Sequence, residues 1–222
     1  MNRQHIIWSL TIAIIICVII LVILTSNSYE SMSNEFHDFT VVEKPLKSLP
    51  PSEQKKIASE LKNQLRMITS NTKISDKMKS FFKKIPIIFT KDETNFKGNH
   101  GLFLTRNPQE YPMGYIELDA KSGTLDHSKP ILLHEMIHAF DYNYYHFENP
   151  DIIQFYNDAK TNDLYPQYSD TDFLSNAREY FAIACTLYLV DSIEQAPFTA
   201  RPIQNKQVEM WAFMKKLFSL EE

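Results

Sequence analysis

At 222 residues the chain has room for one catalytic-sized domain plus a small accessory segment, since domains run to about 100–200 residues. Its formal net charge of −4, with no basic stripe, argues against nucleic acid as a partner. Only two cysteines occur, Cys17 and Cys185, both in apolar runs, so no disulfide framework is available.

The first element is an apolar span. From Ile6 to Leu24, 19 consecutive residues carry no charge. As a helix they reach roughly 28 Å, close to the hydrocarbon thickness of a bilayer. A cleaved signal peptide is the rival reading, but its apolar core is usually shorter, about 7–15 residues. Thr25-Ser26-Asn27-Ser28 is also a poor cleavage site. Cys17 follows Ile16, not a small residue, which does not suit a lipoprotein. Residues 1–25 are therefore read as a retained single-pass anchor. Arg3 precedes the span and Glu30 is the first charge after it, so positive-inside logic keeps the N-terminus cytoplasmic and exports the rest. The exported part holds 22 basic and 27 acidic residues, with Arg3 left behind.

Residues 26–51, ending in Leu49-Pro50-Pro51, read as a polar tether, and residues 52–222 as the catalytic domain. Ile57, Leu61, Leu65 and Ile68 have helical spacing. A short helix is expected over 75–84, stopped by Pro86. Three β-like runs follow at 87–90, 101–105 and 114–118, separated by turn residues. The remainder is helical: about 129–145 with Ser128 as N-cap and Pro130 in the first turn, then 149–160, 173–191 and 204–219. Helices, a small sheet, then helices make an α+β domain.

The first of these four helices carries His134-Glu135-Met136-Ile137-His138. Imidazoles four residues apart lie on one helical face, one turn apart, and neutral imidazole is a strong zinc ligand. Glu135 is offset around the helix, placed to take a proton from zinc-bound water instead of binding the metal. A hydrolytic zinc site wants three protein ligands and one open position. Asp141 lies about 10 Å along the axis from His134, too far to share the ion, and reads as a supporting group. Nothing in the spacing favours His146. Glu179 sits in Asn176-Ala177-Arg178-Glu179-Tyr180-Phe181-Ala182, where an otherwise apolar stretch makes a carboxylate costly without a compensating cation. His134, His138 and Glu179 are the expected zinc ligands, from two helices.

These two segments resemble the anthrax lethal factor family of zinc metalloendopeptidases, which includes the Pro-Pro endopeptidases. The resemblance rests on His134 to Asp141 and Asn176 to Ala182, with Ala196-Pro197-Phe198-Thr199 as a weaker third match. It implies a thermolysin-like zincin fold, Zn2+ held by His134, His138 and Glu179, and Glu135 as general base. The family pattern has a tyrosine about seven residues before the zinc glutamate to bind the oxyanion; here that place is Asp172. Tyr168, four residues earlier, is the expected donor, with Tyr165 the alternative. The family's second acid, one turn after the zinc glutamate, is replaced by Ile183. The expected function is a membrane-anchored, extracytoplasmic metalloendopeptidase acting on protein or peptide substrates. Strand 114–118 is the expected partner for an extended substrate. The alternative is a gluzincin-fold binding or regulatory module with weak or no turnover.

Overall fold

The computed structural model describes residues 36–42, 46–91, 96, 100–121, 123, 125, 129–191 and 200–219. The chain falls into two compact units, Met1–Asp38 and Phe39–Glu222, and the second carries everything below. The expected anchor lies outside the described residues. Among the described residues no helix is long and apolar enough to cross a membrane. Of the stretch read as a tether, the second half belongs to the fold. Phe39, Val41 and Leu46 are buried, and Val41–Val42 forms strand β1.

Helix α1 (Pro51–Thr69) begins on a proline whose missing N–H would have no intrahelical partner there. It buries Ile57, Leu61, Leu65 and Ile68 on one face, together with Gln64. Helix α2 (Asp76–Phe82) is capped by the Ser75 side chain, which accepts from the Met78 N–H. Strands β2 (Ile87–Thr90), β3 (Gly101–Leu104) and β4 (Tyr115–Asp119) join β1 in one mixed sheet of order β1-β2-β4-β3. β1 and β4 run parallel to β2, and β3 returns antiparallel along β4.

This order corrects one expectation. β4 is interior, hydrogen-bonded to β2 on one side and β3 on the other, so it has no edge to offer an extended ligand. Among the described residues the sheet ends in β1 on one side and in β3 on the other, and β3 is the edge against the histidine-bearing segment. The Asp119 N–H bonds to the His100 carbonyl at 3.1 Å, and hydrogen-bonded pairs alternate along an antiparallel ladder. Gly101 and Phe103 therefore turn their backbone polar groups outward.

Helix α3 (Ile131–Tyr145) lies against β3 and β4, and helix α5 (Ala177–Leu189) packs on α3. Both are buried almost all round: α3 continuously from Glu135 to Asp141, α5 from Tyr180 to Leu189. A helix covered on every side has no polar stripe, which is why their sequences read as apolar runs and not as amphipathic patterns. Gly101 sets how closely α3 approaches the sheet. A Cβ there would come within 2.9 Å of Ile131 Cγ2 and 3.2 Å of Glu135 Cγ. Helix α4 (Pro150–Thr161) is capped by Asn149, which accepts from the Asp151 and Ile152 N–H groups.

Two helix ends differ from expectation. α3 starts at Ile131 with Pro130 in the cap position and no cap from its own segment, and Ser128 lies outside the described residues. The cap is supplied from α1. The Gln64 amide accepts from the Leu132 N–H at 3.2 Å and donates to the Lys129 carbonyl at 2.8 Å. Gln64 is only 1% exposed, so losing it strands the Leu132 N–H, whereas the Lys129 carbonyl still accepts from the Ile131 N–H at 2.8 Å. Gln64→Leu should lower the unfolding free energy by about 1–3 kcal/mol in urea titration, whereas an isolated surface glutamine would give within ~0.5 kcal/mol. The expected last helix over 204–219 is two, α6 (Arg201–Lys206) and α7 (Val208–Phe218). The break is at Gln207, whose backbone leaves the helical region with φ −132° and ψ 69°. Its side chain is engaged in the core, as described below.

Candidate metal centre

The two histidines of α3 and the first turn of α5 converge. His134 Nε2 and His138 Nε2 are 3.0 Å apart, with their rings nearly perpendicular. Glu179 places Oε2 at 3.2 Å from His134 Nε2 and Oε1 at 3.3 Å from His138 Nε2. For ligand bonds of about 2.0–2.1 Å, the edge of a coordination tetrahedron is about 3.3 Å. Three donors at that mutual spacing fit one small divalent cation. Among the described residues they are the group so placed.

Local structure explains why Glu179 is there. The Asn176 side chain caps α5, accepting from the Arg178 and Glu179 N–H groups at 3.0 Å each. Glu179 thereby occupies the third position of the helix, where Asn-x-x-Glu is also the pattern of a capping box. Its carboxylate turns instead toward the imidazoles. Burial opposes ionisation, but the contacts with His134 and His138 outweigh it and hold the carboxyl well below the usual carboxylate range. An anion in the first helical turn is also favoured by the helix dipole.

Glu135 lies beside the cluster and is 6% exposed. Its Oε2 accepts the Phe103 N–H from the open edge of β3 at 2.7 Å. Burial pushes its pKa up, against the lowering effects of His134 and the Phe103 N–H. The two glutamates are thus driven in opposite directions. Glu179 is driven toward the anion and Glu135 toward the protonated form.

All four groups line one cleft of about 630 Å³, within the range of small-molecule and peptide sites. Gly101, Leu102 and Phe103 of β3 form part of its wall, and Asp172, Asn176 and Arg178 part of its rim. The expected oxyanion donors are not brought to it. Tyr165 is fully buried and its hydroxyl donates to Gln207 Oε1 at 2.9 Å. Tyr168 is half-buried in a short 3-10 turn, its ring edge-on to Phe173, and is not among the residues lining the cleft. His146 caps the end of α3 in a left-handed conformation and packs against Tyr142, away from the cluster.

Sequence reasoning missed the edge strand, Phe147 and Arg178 as cleft residues. Arg178 carried a signal, since it adjoins Glu179, but it read only as a surface charge.

Asp141 is buried at 2% exposure, and its Oδ1 has no hydrogen-bond partner. Burial pushes its pKa up to about 6, partly offset by His138 and Arg178. A carboxyl whose folded pKa exceeds its unfolded one stabilises below the unfolded value, and that contribution is lost as pH rises through the folded one. For metal-free protein, the unfolding free energy of wild type relative to Asp141→Asn should therefore fall by roughly 3 kcal/mol between pH 4 and pH 7. Parallel stability curves would show that Asp141 is already solvated or paired.

Compared with known proteins, the chain matches no family model, no curated protein and no solved structure.

Proposed function

We propose that this chain is a zinc-dependent metalloendopeptidase with a thermolysin-like zincin arrangement. Residues 1–25 anchor it, and the catalytic domain faces outside the cytoplasm. The observation that carries the reading is the convergence of His134, His138 and Glu179 beside a buried, hydrogen-bonded Glu135 on an open cleft. The resemblance to the lethal factor family rests on the same residues.

His134, His138 and Glu179 would hold the ion. When bound, zinc lowers the pKa of a water toward about 7 and polarises a scissile carbonyl. Glu135 accepts the proton of the attacking water on the carboxylate oxygen left free by the Phe103 N–H, then delivers it to the leaving amine. The outward groups of β3 that remain, the Gly101 N–H and the Gly101 and Phe103 carbonyls, and not those of β4, would offer an extended peptide hydrogen bonds, the Phe103 N–H being held by Glu135.

A second reading follows from the tyrosines. With Tyr165 engaged in the core and Tyr168 outside the cleft lining, no tyrosine among the described residues lines the cleft to share oxyanion charge, which favours a binding or regulatory module of weak turnover. Exposing the 222-residue chain to a degenerate peptide library with and without chelator separates the two. Chelator-sensitive cleavage is expected. Zinc binding at one per chain without any cleavage would select the binding module, and failure to bind zinc would remove both.

A further inference from the structure

Arg178 stands in an unfavourable place for a cation. It occupies the second position of α5, where the positive end of the helix dipole disfavours positive charge. No ion pair offsets this: among the described residues none of the carboxylates lies within bridging distance of its guanidinium. The nearest acid in effect is Asp141, whose Oδ1 remains without a partner. The contact Arg178 does make is with the face of Phe147, its Cζ 4.2 Å from the ring centroid.

Phe147 is itself held in an uncommon conformation. It and His146 follow α3 with φ of 62° and 52°, two successive left-handed residues without glycine. Such backbone is strained for residues other than glycine and persists where surrounding structure imposes it. Here the result is a ring wedged between Tyr142 and the guanidinium, with both Phe147 and Arg178 on the wall of the cleft that holds His134 and Glu179. A guanidinium held over an aromatic ring can still direct N–H groups at a ligand, and its fork matches a carboxylate with two parallel hydrogen bonds.

We infer that Arg178, stacked on Phe147, is a carboxylate-recognition subsite of the cleft, selecting ligands that place an acidic side chain or a peptide C-terminus beside the metal centre. The lining carries Lys129 and Arg178 against Glu135, Asp172 and Glu179; Glu179 faces the imidazoles and Glu135 the Phe103 N–H, which leaves Arg178 as a cation of the cleft without an ion pair among the described residues. The identity of the ligand as a peptide rests on the hydrolase reading above; the anion chemistry does not.

The test uses the 222-residue chain loaded with zinc and a set of peptides in which one glutamate is scanned against glutamine. Each peptide is made with a free and with an amidated C-terminus. At one scan position, or with the free C-terminus, kcat/KM should be roughly 10- to 100-fold higher for the acidic partner, the worth of a charged hydrogen bond. The position that responds tells side chain from terminus. Arg178→Gln should bring that ratio close to one, Arg178→Lys should retain part of it, and Arg178→Glu should invert it toward lysine. Cleavage with no acidic preference, or a preference untouched in Arg178→Gln, overturns the subsite and leaves the hydrolase standing. A uniform fall in kcat with the ratio unchanged would make Arg178 an oxyanion donor instead. If no peptide is cleaved, the hydrolase reading fails. The subsite is then judged by fluorescence anisotropy of the same peptides, where equal affinity for acidic and neutral members rejects it.

Discussion

Glu135→Gln should leave zinc bound at one per chain while peptide hydrolysis falls by about 10²–10⁴-fold, the range a positioned general base contributes. The substitution is nearly isosteric, so the Phe103 N–H still finds a carbonyl oxygen to donate to, and the helix keeps its approach to β3. What is lost is proton affinity. In wild type, burial raises the carboxyl pKa while His134 and the backbone donor restrain the rise. Glutamine accepts no proton. The fall should appear in kcat, with chelator titration of zinc unchanged, because Glu135 is not one of the three converging donors. Hydrolysis at wild-type rate would reject Glu135 as the base, and zinc loss would place it among the ligands.

The histidine pair was legible because four-residue spacing on a helix is local geometry, and local geometry survives any fold. Glu179 was legible for an energetic reason: a carboxylate ahead of Tyr180, Phe181 and Ala182 must be compensated or exposed, and the structure turns it toward His134 and His138. Strand order was not legible. That β3 and not β4 is the edge depends on β2 and β4 pairing in parallel across a long excursion, which no short-range pattern encodes. The polar residues that organise the core were hidden as well. Gln64 and Gln207 stand among polar neighbours in the chain and read as surface, yet each is buried and ties together elements far apart in sequence. Tyr165 and Tyr168 show the reverse error. Expecting Tyr168 in the donor's role assumed that an offset in sequence transfers to position, but Tyr165 is carried into the core and Tyr168 packs half-buried against Phe173, outside the cleft lining.

Gln207 supports the second large prediction. Its Oε1 accepts from both the Tyr165 and the Tyr180 hydroxyls, and its Nε2 donates to the Phe155 carbonyl at 2.8 Å. One amide thus joins α4, α5, the 165 turn and the junction of α6 with α7. Burial raises the pKa of both tyrosines above the ordinary value, as expected for hydroxyls that stay neutral donors inside the core. Gln207→Leu strands two buried hydroxyls at once, while the Phe155 carbonyl keeps its place in the α4 ladder. At about 1–3 kcal/mol for each buried unsatisfied group, the unfolding free energy should drop by about 3–5 kcal/mol, a large share of the ~5–15 kcal/mol typical of a domain. Tyr165→Phe and Tyr180→Phe in that background remove the stranded hydroxyls. The triple variant should therefore be more stable than Gln207→Leu alone, although each Tyr→Phe change in wild type is destabilising. Such a reversal of sign is diagnostic of a shared network. Additive losses across the cycle would mean that the three side chains merely pack as neighbours, and that the kink between α6 and α7 has another cause.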